Sequence, residues 1–161
     1  MKPIALPGKE KAMVTVMKKA PERPEGNPRA HWPQALQREF EANEFNGCVG
    51  SVLVSETDKL RVWHLHIPAG KRCNFHRHVN PYFWTSLTDG KARGYYHDGR
   101  IVDVVHYEGE TKHFTFGPGE YFAHSVENIG DADLAFTTVE FLDGPNEPLP
   151  VPDSIKLKRP A

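Results

Sequence analysis

From Gly47 onward the sequence is cut into short apolar or alternating runs by glycine, proline, asparagine and aspartate. The runs are 49–57, 59–67, 74–78, 82–88, 91–97, 101–107, 111–116, 121–127 and 133–141. Each is too short for a core helix, and several alternate with period two, as half-buried strands do. Asp98-Gly99, between two such runs, is a hairpin signal, because glycine accepts the positive φ that a type I′ turn requires. About nine short strands so closely punctuated predict an all-β fold, a jelly-roll sandwich or barrel. Nothing in this half carries a helical period.

The ends read differently. Residues 1–47 form an arm in which 12–17 suits a short strand and 20–33 holds four prolines that deny the backbone its donors. Residues 34–42 suit a short helix: Pro33 fits the first turn, and Leu36 and Phe40 fall four apart on one face. Trp32, Phe40 and Phe45 give this arm something to bury, so it is expected to pack on a neighbour or on the outside of the barrel. The organisation is therefore an arm at 1–47, a barrel at 48–142 and a proline-rich tail at 143–161, extended over the surface. Net charge is −1 with pI near 6.8, which gives no bias toward nucleic acid or an anionic membrane. No apolar run reaches the roughly 18 residues of a membrane span. Cys48 and Cys73 are too few for a disulfide framework. A cytoplasmic protein with reduced thiols is the expectation.

The chemistry concentrates in Gly70-Lys71-Arg72-Cys73-Asn74-Phe75-His76-Arg77-His78. Two histidines one residue apart on a strand point the same way, so His76 and His78 present two imidazoles to one ion. His124, in a second turn-and-strand run, supplies a third. A lone strand histidine is ordinarily a hydrogen-bonded core or surface group; three at this spacing predict a metal site. Cys73 lies at the wrong parity to join them.

Gly70-x5-His76-x-His78 with Gly90 resembles the first motif of the cupin superfamily. Pro118-Gly119-Glu120 with His124-x3-Asn128 resembles the second. The likeness spans roughly 49–141. It implies a cupin-like jelly-roll barrel, with His76, His78 and His124 as metal ligands. The first motif places a glutamate seven residues before the glycine; this chain has Phe83 there, flanked by Tyr82. In the second motif, Gly119 and Tyr121 stand where proline and glycine usually come. What remains resembles the three-histidine variant, found in iron dioxygenases that cleave β-diketones or oxidise thiols.

Three neutral imidazoles add no charge, so a divalent ion keeps its own and favours an anionic, chelating substrate. Phe83 in place of a carboxylate is expected to add apolar wall and strengthen that attraction. The reading is a metal-dependent enzyme, a non-haem iron dioxygenase acting on an enolate- or thiolate-like small molecule. Its cofactor is a divalent ion, Fe(II) first, with manganese, nickel, cobalt or zinc open. The alternatives are a metal-dependent isomerase or lyase, or a small-molecule-binding barrel without turnover. Expected pocket residues are His64, His66, Tyr82, Phe83, Trp84, Tyr96, Phe114 and Phe122, although parity alone does not say whether His64 and His66 face inward. One arginine or tyrosine among Arg93, Tyr95 and Tyr96 is a candidate anchor for a substrate oxyanion. Glu120 reads as a turn residue, and His31, His97, His106 and His113 as surface or loop residues. A homodimer is expected, with no nucleic-acid or membrane partner.

Overall fold

Alternation along the strands decides which side chains fill the interior. The computed structural model describes residues 14–16 and 26–160. In chain order the elements are β1 (Val14–Val16), α1 (Gln34–Ala42), β2 (Val52–Glu56), β3 (Leu60–Ile67), β4 (His76–His78) and β5 (Tyr82–Ser86). There follow β6 (Gly90–Tyr96), β7 (Ile101–His106), β8 (Thr111–Thr115), β9 (Phe122–Asn128), β10 (Leu134–Phe141) and a 3-10 turn at Asp153–Ile155. The nine anticipated strands are present, their ends within three residues of the expected runs. Of the expected strand at 12–17, only β1 lies inside the described residues.

The strands form two sheets, ordered β1-β8-β5-β10-β3-β2 and β4-β9-β6-β7. Between β3 and β10 the chain crosses from one sheet to the other at every connection except the β6–β7 hairpin. Sheet neighbours are therefore mostly far apart in sequence, and all pair antiparallel except β1 on β8. This order is that of a jelly roll.

Even-numbered positions of β4 to β10 and odd-numbered positions of β3 face inward. Trp63, Leu65 and Ile67 of β3 and Leu134 and Phe136 of β10 are buried, while His64 and His66 between them are exposed. Ile67, Leu65, Leu134, Phe136 and Ala92 pack one end solid. The inner face of β6 carries small residues (Gly90, Ala92 and Gly94) over which neighbours fold: a β-carbon on Gly90 would lie 2.5 Å from the Leu134 side chain. A β-carbon on Gly94 would lie 2.5 Å from the Tyr96 hydroxyl, so glycine there lets the tyrosine fold back across the sheet.

Residues 26–47 lie on this chain's own barrel. Trp32 and Phe40 join Phe75 and Ala123 in a buried cluster outside the smaller sheet. Burying two such aromatics contributes on the order of 2 kcal/mol each. The Arg72 guanidinium on Glu39 holds the helix from its other side. The tail follows the opposite flank: Lys156 bridges Leu53, and Val151 and Ile155 cover Trp63, Val49 and Leu53.

One expected turn is different in kind. The link from β6 to β7 spans four residues, 97–100, with Gly99 at φ 92°. Among the described residues no non-glycine has positive φ, so Asp98 does not adopt a type I′ turn. The extra length gives the arm its socket: Trp32 Nε1 donates to the Gly99 carbonyl at 3.1 Å, and Arg29 donates to the His97 carbonyl. A β-carbon on Gly99 would stand 2.1 Å from the Pro28 carbonyl oxygen. Gly99→Ala therefore combines a left-handed alanine with a lifted arm and is expected to cost about 2–4 kcal/mol. Urea unfolding checks this; a loss under half a kcal/mol would mean that the arm docks without that close approach.

Candidate metal centre and cavity

The triad is assembled by one short ladder. β4 pairs with β9 through three residue pairs, His76 with His124, Arg77 with Ala123 and His78 with Phe122. With both strands showing alternate residues to one face, this register brings all three imidazoles together. Their ligating nitrogens lie within 4.8 Å of one another, and Nε2 of His78 is 3.3 Å from Nε2 of His124. Nitrogen donors about 2.1 Å from a common ion sit roughly 3.0–3.4 Å apart, so this pair already has that spacing.

His76 and His78 are buried, and His124 is partly open to the cavity. Burial holds all three below the ordinary imidazole range: His76 falls to about 4, and His78 and His124 lie well below 6.5, each also repelled by neighbouring histidine. At neutral pH the three rings are neutral, the form that binds metal. Nδ1 of His76 donates to the Asn74 carbonyl at 3.0 Å, which leaves Nε2 as its ligand atom. Nδ1 of His78 is buried with no hydrogen-bond partner. Its ring is held instead by stacking on Tyr82, centroids 3.9 Å apart and planes 12° from parallel. The donor set fits a divalent first-row ion: three neutral nitrogens converge where nothing else in the protein uses their lone pairs together.

The triad opens on a cavity of about 330 Å³, in the range of small-molecule sites. Tyr82, Trp84, Tyr96, Phe114 and Phe122 line it with the three histidines. Phe83, His64 and His66 do not, and parity explains all three corrections. Phe83 lies on the outer face of β5 against His113 and Phe141. His64 and His66 lie outside β3, where His66 meets Asp133 at 2.8 Å. The apolar wall expected of Phe83 is supplied by Tyr82, Phe114 and Phe122, whose rings stack in sequence. Arg93 and Tyr95 also face outward, to Asp103 and Glu127. Tyr96 is the one turned inward, its ring 6.1 Å from His124 and beneath the Arg100 guanidinium. Glu120 accepts from the Gly117 N–H, as a turn residue does. The Cys73 sulfur points away from the triad and accepts from Val126.

Several cavity residues were not visible in the sequence. Arg100 and Lys112 line the cavity while remaining substantially exposed, so they carry positive charge at its mouth. His106, read as a surface residue, is only 7% exposed. The run 101–106 is apolar on both faces, so only pairing with β6 shows that His106 shares the inner face with Val102 and Val104.

No family model matches the sequence, and no curated protein matches it. Among solved structures, the chain is similar to a cupin domain from Bordetella pertussis Tohama I, with 21% identity, 57% of this chain and 93% of that one covered, and a TM-score of 0.47. It is similar to a double-stranded β-helix domain protein from Klebsiella pneumoniae, with 23% identity, 54% and 66% covered, and a TM-score of 0.41. It is also similar to an RmlC-like cupin from Methanocaldococcus jannaschii, with 17% identity, 56% and 76% covered, and a TM-score of 0.45. Among the described residues no helix is long and apolar enough to cross a membrane.

Two predictions follow from the site. Unfolded histidine titrates near 6.5, whereas folded His76 titrates at about 4. Metal-free protein thus has its full stability above about pH 6.5 and loses it as pH falls toward 4. His76 alone costs about 2 kcal/mol by pH 5. Urea unfolding of chelator-treated protein at pH 7.5 and 5.0 measures this, and equal stability at both would contradict burial of a neutral triad. Tyr82→Leu removes the stack behind His78 and should weaken metal binding about tenfold, while Tyr82→Phe should bind as wild type does. Competition with a chromophoric chelator separates the two.

Proposed function

We propose that this protein is a metal-dependent oxidoreductase, a non-haem iron dioxygenase acting on a small chelating anion of the enolate or thiolate kind. The observation that carries this reading is the donor set: three buried neutral imidazoles converge without a carboxylate at the head of an aromatic cavity. His76, His78 and His124 would hold the ion. An Fe(II) ion there supplies Lewis-acid and one-electron chemistry toward an anionic substrate and dioxygen.

The chain's own residues then have separable tasks. The neutral imidazoles leave the ion's charge uncompensated, so the site selects a ligand that brings its own negative charge. Arg100 and Lys112 stand at the mouth, paired with Asp98 and Glu110, and keep N–H donors to offer an entering anion. Phe114, Phe122 and Tyr82 exclude water and lower the local dielectric, which strengthens the hold on an oxyanion or thiolate. Tyr96 stands beside His124 with burial raising its phenol above the ordinary range. It therefore stays protonated and can donate a hydrogen bond to a substrate oxygen.

The test is anaerobic loading with Fe(II) followed by oxygen uptake with a panel of β-diketones and thiols, beside His124→Ala. About one equivalent of iron and substrate-dependent oxygen uptake are expected in the wild type, with both lost in the variant. Turnover of these substrates without oxygen uptake would replace the reading with a Lewis-acid isomerase or lyase. Full iron loading with no reaction on any of them would leave a binding barrel. Failure to hold any first-row metal would remove the metal reading altogether.

A further inference from the structure

The cavity has a second polar pole that the metal reading does not use. At the opposite end of its inner wall, Nδ1 of His106 lies 2.6 Å from Oε2 of Glu110, both side chains being buried. A carboxylate only accepts, so this contact places the imidazole proton on Nδ1. Nε2 is then the nitrogen left for another partner, and among the described residues no hydrogen bond reaches it. The other carboxylate oxygen is 3.2 Å from Nζ of Lys112, which balances the charge of Glu110. The ring is clamped edge-on by Trp84 and Phe136, at 5.3 and 5.1 Å between centroids. The imidazole is thus fixed in tautomer and orientation, and His106 is itself part of the cavity wall.

Held this way between aromatic rings, the ring's free edge is open to the cavity, where a ligand group can complete its hydrogen bonding. Trp84 lies two residues along β5 from Tyr82 on the same face, roughly 7 Å away, and Tyr82 stacks on His78. One continuous ring-lined wall therefore joins the triad to His106. We infer that His106, held by Glu110, is the anchor for a hydroxyl or phenol at the far end of the substrate, which makes the cavity selective for elongated molecules polar at both ends. This rests on the proposed chelating end at the triad. His106 acts as a specificity residue; it takes no part in the bond changes at the metal.

The experiment uses zinc-loaded protein, which binds without turnover, and two β-diketones that differ only at the distal position. These are 1-phenylbutane-1,3-dione and 1-(4-hydroxyphenyl)butane-1,3-dione, titrated through the absorbance shift of the chelated enolate. Wild type should bind the hydroxylated probe roughly tenfold more tightly. His106→Leu should abolish that preference, its two probes binding alike, and the volume-conserving Glu110→Gln should reduce it. Comparing the probes within each variant cancels any general loosening of the fold. Equal binding of both probes by wild type, or a preference that survives in both variants, overturns this inference and leaves the metal site standing. Binding of neither probe to protein shown to carry zinc overturns the chelating reading and this one with it.

Discussion

The centre depends on a ladder of only three residue pairs between β4 and β9. An antiparallel register that sets His76 opposite His124 places His78 two residues further along the same face. A slip of one residue would send His124 to the outer surface and bring Ala123 or Ser125 in. So short a ladder does not hold its own register. Its neighbours do: β9 pairs along its length with β6, and the backbones of Lys71 and Cys73 bond to Asn128 and Val126 just before β4.

Given that register, the electrostatics follow from burial. Three imidazoles crowded into an apolar interior stay neutral because each resists desolvation as a cation, and His78 and His124 are further discouraged by neighbouring histidines. The cavity that they open on is walled largely by aromatic rings. Along β6, Ala92 and Gly94 form part of the cavity wall, while the volume left free at Gly90 is taken by the Leu134 side chain. The opening carries Arg100 and Lys112, and the interior carries the His106–Glu110 pair. The cavity is thus charged at its mouth, apolar along its walls and polar at two points.

The arm and tail close the barrel from outside. Residues 26–47 cover the back of the smaller sheet with Trp32 and Phe40 against Phe75, the residue immediately before His76. Packing of the arm therefore bears on the strand that carries two of the three histidines. Asn46 reinforces this link, donating from its side chain to the Phe75 carbonyl and accepting from Arg77 through its own carbonyl.

Strand number, the jelly-roll class, the helix at 34–42 and the histidine triad were all legible in the sequence. Turn residues and period-two alternation are local signals, and His76-x-His78 is a local motif. What stayed hidden was which face of an ambiguous strand looks inward. The stretches 60–67, 82–86 and 101–106 carry apolar residues on both faces, so Phe83, His64 and His66 were assigned to a cavity that they do not touch. For the same reason His106, which lines it, was assigned to the surface. The four-residue link at Gly99 was likewise set by an arm more than 60 residues earlier in the chain. The sequence by itself determined the elements and singled out the three imidazoles that converge, because those depend on residue type and spacing along short runs. Only the tertiary structure decided the cavity's second pole and its charged mouth, because inward and outward are defined by the facing sheet, which no local pattern contains.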